Sequence, residues 1–233
     1  MAYLLLFSRQ GIKNKKGEIK MKRFLNLLSV FVLLLGLSGV ANATTINYLN
    51  TINGNEYTSP YNGVTVYTFD GAPVLNWSGN GAVVNGSTGQ NAAPFGVSAP
   101  DATKYMTVPV SGGSGSITAI LPSAVNNYFG LWWGSVDSYN TIAFYNGPTF
   151  VASFTGTDAI NPSAANGNQT ASSNNLYVNF LGLENFNRVV LTSTQYAFEV
   201  DNIAVGEVPE PATMLLLVFG LMGLAGVRRK IKK

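Results

Sequence analysis

Short runs of alternating apolar and polar residues fill the chain between Thr44 and Gly206, and turn-forming residues separate them. No helical apolar period in this region is longer than a turn or two. Many strands without intervening helices predict an all-β domain, and we expect a single jelly-roll-like β-sandwich. The predicted strands are Gly63–Phe69, Lys104–Val110, Ser116–Leu121, Tyr128–Gly134, Thr141–Tyr145, Thr149–Thr155, Leu176–Phe180, Arg188–Thr192 and Tyr196–Val205.

Turn signals and polar stretches define the connections between these strands. Asn146-Gly147 lies between two predicted strands and predicts a β-hairpin. Gly79–Pro100 is rich in Gly, Asn and Ala, and Gly156–Asn175 is polar without an apolar pattern. Both are predicted to be long loops, and loops of this length are either functional or mobile.

A longer apolar run lies near the start of the chain. Met21–Ala43 has a basic start, an apolar stretch and a final Ala-Asn-Ala. This pattern is typical of a secretory signal peptide, so we predict export through the Sec machinery and cleavage after Ala43. An uncleaved anchor is the alternative. Residues 1–20 are interpreted as a start-site extension with true translation from Met21, the alternative being a long n-region.

The C-terminal end, from residue 207 to 233, has three parts in order: Val-Pro-Glu-Pro at 208–211, an uncharged stretch at 212–227 and a basic tail at 228–233. A 16-residue helix reaches about 24 Å at ~1.5 Å per residue, against roughly 30 Å of bilayer hydrocarbon. We predict a short transmembrane helix whose flanks cover the difference. The basic tail should stay cytoplasmic.

This tripartite end resembles the PEP-CTERM sorting signal of Gram-negative bacteria. The resemblance implies that an exosortase, an integral membrane protease, recognises Pro209, Glu210 and Pro211, with Arg228 and Arg229 beginning the basic tail. It also implies removal of the helix and delivery of the domain to the cell envelope, outer surface or extracellular matrix. Such proteins accompany exopolysaccharide and biofilm production. A plain C-terminal membrane anchor is the alternative.

The distribution of charge changes the meaning of the positive net charge. Twelve of the 14 basic residues lie in the two terminal segments, whereas the stretch 44–207 has two basic and nine acidic residues. The domain is therefore acidic, which argues against nucleic acid as a partner. The chain has neither Cys nor His, so thiol and imidazole catalysis are excluded. No pair of carboxylates stands out as a glycosidase pair, and we expect a protein that is not an enzyme.

Aromatic residues in two strands are candidate carbohydrate contacts. Alternation places Phe129, Leu131 and Trp133 on one face of their strand and Tyr128 and Trp132 on the other. The same argument points Tyr145 outward from the next strand. Exposed rings at Trp132 and Tyr145 would stack on sugars. The alternative is a second buried face or cover from a loop.

Two acidic segments are candidate calcium ligands, and no other cofactor is expected. Asp137 lies in a segment rich in turn formers, where carboxylate and amide oxygens suit Ca²⁺. The alternation slips at Asp201-Asn202, which predicts a β-bulge where Glu199, Asp201 and Asn202 could offer oxygens. The alternative for both segments is that these side chains satisfy local backbone groups.

These two segments also resemble those of a group of uncharacterised PEP-CTERM proteins. In that group G-S-x-D-x-Y-N precedes a final A-F-E-x-D-N-I-A strand. Positions 134–140 and 197–204 match the two patterns. No activity is implied by this resemblance. The sequence as a whole favours a surface or matrix protein with a structural or adhesive role, with a carbohydrate-binding module as the alternative and a glycosidase as a weaker one.

Overall fold

The computed structural model of the chain describes residues 44–123, 125–160, 163–208 and 220. The start-site extension (1–20), the signal peptide (21–43), the Pro-Glu-Pro segment (209–211) and the basic tail (228–233) lie outside these residues. So does the apolar segment 212–227, except for Gly220. These five assignments stay predictions from sequence at the structural level. Within the described ranges, no helix is long and apolar enough to cross a membrane.

The described ranges contain fourteen β-strands and one short helix. The strands are β1 (Thr45–Asn47), β2 (Thr51–Asn53), β3 (Glu56–Thr58), β4 (Thr65–Tyr67), β5 (Trp77–Gly79), β6 (Ala82–Asn85), β7 (Lys104–Val108), β8 (Gly115–Ile120), β9 (Tyr128–Gly134), β10 (Asn140–Asn146), β11 (Thr149–Thr155), β12 (Leu176–Leu181), β13 (Arg188–Ser193) and β14 (Phe198–Gly206). The helix α1 (Gly156–Ala159) follows β11.

The strands form two main sheets and one small hairpin, and every pairing between them is antiparallel. The first sheet has the order β1-β12-β9-β14-β7-β6, and β4 pairs with the C-terminal half of β14. The second sheet has the order β11-β10-β13-β8-β5, and β2 pairs with β3. The all-β prediction is confirmed, with a sandwich-like arrangement of sheets; the jelly-roll topology stays a prediction.

The core lies between the inner faces of the two main sheets. Phe129 of the first sheet meets Phe144 of the second edge-on, with ring centroids 5.4 Å apart. Phe180 of the first sheet lies 4.9 Å from Phe154 and 5.7 Å from Phe144 of the second. Phe129, Leu131 and Trp133 all have inaccessible side chains in this core, as the alternation predicts.

All nine predicted strands occur, with ends within two residues of the prediction. The Asn146-Gly147 hairpin is also confirmed, because β10 and β11 pair around it and Gly147 has a φ of 56°. Five strands were not predicted: β1, β2, β3, β5 and β6. Each has three or four residues, too few to show a period. The interpretation of 79–100 as one loop is therefore wrong at β6.

The predicted bulge in the last strand is present. The pairing of β14 with β9 shifts between Asp201 and Ala204, and Asn202 has a φ of 47°. Phe198 and Val200 before the bulge, and Ile203 and Val205 after it, all face the core. The bulge therefore resets the alternation and keeps both halves of a nine-residue strand packed on the second sheet.

The outer face of the first sheet is buried as well. Tyr128, Trp132 and Tyr177 are fully inaccessible there and form a second cluster with Ala204. Residues from the N-terminal part of the chain, including Tyr57 and Tyr61, pack over this cluster. We use the term outer face for this side of the first sheet. The candidate site lies beside it.

Candidate functional site

A polar cleft opens beside the outer face, where three segments far apart in sequence meet. Its volume is about 220 Å³. The three segments are the loop at 88–92, the turn at 135–139 and the loop at 166–169, and the start of β14 closes the base. The lining residues are Thr88, Gly89, Gln90, Asn91, Ala92, Ser135, Asp137, Tyr139, Asn166, Gly167, Gln169, Tyr196, Ala197 and Glu199.

The cleft joins the two segments that resemble the group of PEP-CTERM proteins. Ser135, Asp137 and Tyr139 come from the first segment, and Ala197 and Glu199 come from the second. The register of β14 against β9 explains the contact, since Glu199 pairs with Gly134 at the point where the turn begins. The sequence presented these residues as two separate patterns, and the fold makes them one site.

Glu199 is the most buried acid of the cleft, with 2% of its surface exposed. Its Oε1 accepts a hydrogen bond from the Ala92 N–H at 2.8 Å, and its Oε2 accepts one from the Ser135 hydroxyl at 3.0 Å. Burial raises the pKa of Glu199 to about 7, although the two hydrogen bonds oppose this and the nearby Asp137 adds to it. Glu199 therefore changes its charge near neutral pH.

Asp137 stands on the cleft wall, with 9% of its surface exposed. Burial raises its pKa, and the Tyr139 hydroxyl beside it partly offsets the effect. Gly167 lies against the carboxylate with a φ of 70°, and any side chain there would collide with Asp137. The Gly167 N–H donates to the Val136 carbonyl at 3.1 Å, which fixes the 166–169 loop against the turn.

Tyr139 lines the cleft next to Asp137. Its hydroxyl donates to the Tyr196 carbonyl at 2.7 Å, and burial raises its pKa. Both tyrosines line the cleft, so two aromatic rings stand beside two carboxylates and several amides. The arrangement offers hydrogen-bond donors and acceptors to a polar ligand beside two aromatic rings.

For Trp132 the alternative given from sequence, a second buried face or cover from a loop, is the one that holds. Its side chain is fully inaccessible, and Tyr57 packs edge-on against it with ring centroids 5.7 Å apart. Cover from the β2–β3 hairpin removes the surface that a sugar would need. Tyr145 is half-exposed on the other main sheet, where the Arg188 guanidinium lies 3.9 Å above its ring and Phe150 contacts its edge. Trp132 and Tyr145 therefore do not share a surface.

The four candidate calcium ligands are not brought together. Asp137 and Glu199 line the cleft, whereas the Asn202 amide donates to Glu56 at 3.2 Å and to the Tyr57 carbonyl at 3.0 Å. Across the described parts of the chain, no group of three or more acidic, Cys or His side chains could hold a metal ion. At Asn202 the alternative holds: the side chain serves the backbone beside the bulge.

Asp201 lies fully buried on the outer face, away from the cleft lining. Neither carboxylate oxygen has a well-formed hydrogen-bond partner among the described residues. Burial raises the pKa of Asp201 to about 9, the Asn202 N–H lowers it in part, and the charges of Asp101, Glu56 and Asp70 raise it further. Asp201 is therefore neutral at physiological pH.

A second groove, of about 270 Å³, lies between β5, β6 and the 69–76 segment. Tyr67, Phe69, Leu75 and Trp77 give it a more apolar lining. It contains no acid, and neither resembling segment reaches it. We treat it as a comparison for the polar cleft.

Sequence reasoning missed the 88–92 and 166–169 segments as parts of a site. The available signal was loop length, since both segments fall in the two stretches predicted as long loops. From sequence, Asp137 of the turn and Glu199 of β14 are calcium candidates at separate places, and the fold brings both to one cleft. Contact between distant loops carries no local sequence signal.

Comparison with known proteins assigns the C-terminal end. Residues 207–230 match the PEP-CTERM protein-sorting motif. No curated protein matches the chain. The resemblance of the chain end to a PEP-CTERM signal is thus confirmed, and it indicates a protein that is exported and sorted by an exosortase to the cell envelope or surface. The match does not reach the sandwich, whose role has to be argued from its structure.

Proposed function

We propose that this protein is a cell-surface or extracellular-matrix component of a Gram-negative bacterium, with a structural or adhesive role linked to exopolysaccharide and biofilm. Its route would be Sec export with loss of residues 1–43, membrane insertion through 212–227, and exosortase cleavage at or near Pro209-Glu210-Pro211. The domain would then be released or attached outside. The observation that carries this proposal is the position of the sorting motif directly behind a complete sandwich.

The junction between domain and motif supports this route. β14 pairs with β9, β7 and β4 and ends at Gly206, so the last strand is held on both sides. Beyond it, the Asn127 side chain accepts from the Val208 N–H at 2.8 Å and donates to the Val208 carbonyl at 3.1 Å. The chain is therefore held in place by hydrogen bonds up to Val208, the residue before Pro209. Cleavage after Val208 would leave the fold intact.

We also propose that the domain is not an enzyme. Imidazole and thiol chemistry are excluded by composition, and the stretch 44–206 has only Lys104 and Arg188 as cations. Neither cation lines the cleft. Incubation of the protein with extracellular polysaccharide should release no new reducing ends. Their release at a rate lost in Glu199→Gln would contradict this proposal.

A carbohydrate-binding module is the second candidate function, and the polar cleft favours it. Trp132 is buried and Tyr145 lies on the other main sheet, so these two rings do not form one sugar-binding surface. The cleft replaces it with a lining of amides, hydroxyls, carboxylates and two tyrosines. Binding and a matrix role are compatible, since a matrix protein gains adhesion by holding glycan.

The sorting route is tested by the intact mass of the protein in each cell fraction, beside a Pro209/Glu210/Pro211→Ala variant. We expect the wild type to begin at Thr44 and to have lost residues beyond the motif, while the variant keeps Lys233 and stays in the membrane. Retention of Lys233 by both proteins would show a plain anchor. Deletion of the gene should weaken biofilm cohesion without changing polysaccharide amount, and a changed amount would argue against a structural role.

A further inference from the structure

The polar cleft has a lining suited to one kind of ligand. The most available side-chain amides are those of the exposed Gln90 and Gln169, and Asp137 and Glu199 supply carboxylates. The side chains of Thr88, Asn91, Ser135 and Asn166 also line the cleft, but each already makes a hydrogen bond within the protein. Amides and hydroxyls both donate and accept, and carboxylates accept strongly from O–H groups. A ring carrying several hydroxyls fits such a lining better than an apolar ligand or a metal ion.

The charge of the cleft restricts the ligand further. Its lining has two acids and no Lys or Arg. An anionic sugar would place its carboxylate or sulfate beside Asp137 and Glu199 without a counter-charge, and like charges in a partly buried site repel strongly. Sugars without an anionic group avoid this repulsion. The cationic amine of an amino sugar would be attracted to the two carboxylates.

The size and aromatic lining of the cleft agree with a single sugar unit. Its volume of about 220 Å³ is below the roughly 300–1,000 Å³ of sites that enclose drug-sized ligands. Tyr139 and Tyr196 bring aromatic rings to the lining, where they can contact the C–H groups of a pyranose. A longer glycan would therefore leave most of its chain outside, as suits a matrix protein that holds a polymer at intervals.

We propose that the cleft between the 88–92 loop, the 135–139 turn and the 166–169 loop binds one non-anionic sugar residue of an extracellular glycan. Asp137 accepts hydrogen bonds from ring hydroxyls, and the side chains of Gln90 and Gln169 contact the sugar at the rim. The proposal rests on the surface role proposed above for its biological setting, but not for its test. In this proposal, the segments 134–140 and 197–204, which resemble those of a group of PEP-CTERM proteins, form one binding site together.

The test uses the full chain in detergent and three defined probes: a neutral glucan oligomer, a chito-oligosaccharide and an alginate oligomer. We expect binding of the neutral probe, the cationic probe or both, and no saturable binding of the anionic one. Preference for alginate, or binding of none of the three, would overturn the proposal. The sorting experiment uses cells and masses only, so its outcome and this one are independent.

Three variants locate the binding. Asp137→Asn should weaken affinity roughly tenfold or more, because hydrogen bonds to charged groups are the stronger ones. Gln90→Ala and Gln169→Ala change exposed rim residues and should each weaken it a few-fold. They keep the test decisive if Asp137→Asn fails to fold, which the thermal midpoint would reveal. Unchanged affinity in both rim variants would overturn the proposal.

Two matched controls complete the design. Glu184→Gln removes an exposed acid that does not line the cleft, and Asn76→Ala truncates an exposed amide of the second groove. Both should bind all probes as the wild type does. A loss in Asn76→Ala alone would place the sugar in the second groove and overturn the assignment. Recovery of the bound oligomer at its original length would agree with binding without hydrolysis.

Discussion

The two faces of the first sheet are both buried, yet their composition differs sharply. The inner face presents Phe129, Leu131 and Trp133 to the other main sheet, and the outer face presents Tyr128, Trp132 and Tyr177 to connecting segments. The inner face meets side chains of a sheet whose backbone groups are already paired. The outer face meets loops, whose backbone groups need partners when water is excluded.

Polar side chains of the outer face supply those partners. The Asn179 amide donates to the Leu49 carbonyl at 2.8 Å, and the Asn175 carbonyl oxygen accepts from the Phe95 N–H at 3.0 Å and the Ser135 N–H at 2.9 Å. Glu199 does the same for Ala92. A buried sheet face can therefore be apolar or polar. Which it is depends on whether it packs against a sheet, whose backbone groups are paired, or against loops, whose backbone groups need partners.

The largest test of the comparison is a cavity in the core, made on the second sheet where it packs against the inner face of the first. Phe144 is inaccessible and contacts Phe129, Phe154, Phe180 and Phe186. We expect Phe144→Ala to lower the free energy of unfolding by about 3–5 kcal/mol, measured by urea denaturation. The control is Phe150→Ala, since Phe150 is 56% exposed. A similar loss for both would show that the inner face is not the main core.

A substitution on the outer face should instead change how the free energy of unfolding depends on pH. Burial raises the pKa of Asp201 from 3.8 to about 9. The folded state then keeps a proton that the unfolded state has lost, so stability falls as pH rises from about 4 to about 9. Asp201→Asn has no such proton to lose. At about 1.4 kcal/mol per pH unit, the stability advantage of the variant should grow to several kcal/mol at pH 8, and the gap should close near pH 4.

Urea denaturation across this pH range gives the measurement. The control is Glu184→Gln, a substitution of an exposed acid, measured over the same pH range. If Asp201→Asn follows the wild-type profile at every pH, then Asp201 is solvated or paired and the outer face is less sealed than its structure indicates. Glu199, with its pKa of about 7, adds a smaller slope of the same sign to both proteins.

The bulge at Asn202 links the two faces, because it resets the alternation of β14. Asn202→Ala must hold a φ of 47° without the asparagine's tolerance for it and loses the bonds to Glu56 and Tyr57. We expect a loss of about 2 kcal/mol, measured by thermal unfolding. Asn202→Gly loses only the bonds and should cost about half as much. Equal losses would mean that the backbone conformation carries no strain.

The inner face was predictable from sequence, whereas cover of the outer face was one of two open alternatives, for a physical reason. Strand alternation reports which residues share a face, so the positions of Phe129, Leu131 and Trp133 and the slip at Asp201-Asn202 follow from local order. Cover over Trp132 comes from Tyr57, 75 residues away, in a three-residue strand with no period of its own. The cleft could not be predicted for the same reason, because its loops are far from the turn in sequence and contact it only in the folded protein.

The smallest test removes one oxygen from the outer face. The Tyr177 hydroxyl is buried and donates to the Asn202 carbonyl at 2.9 Å, so Tyr177→Phe leaves that carbonyl without its donor while keeping the ring. We expect a loss of about 1 kcal/mol in the free energy of unfolding, measured with urea. Tyr145→Phe changes a partly exposed tyrosine of the other sheet and should be close to neutral, because water can hydrogen-bond to the polar groups near it. If the two substitutions are equally neutral, hydrogen bonds do not stabilise the outer face, and the contrast between the faces reduces to ring packing alone.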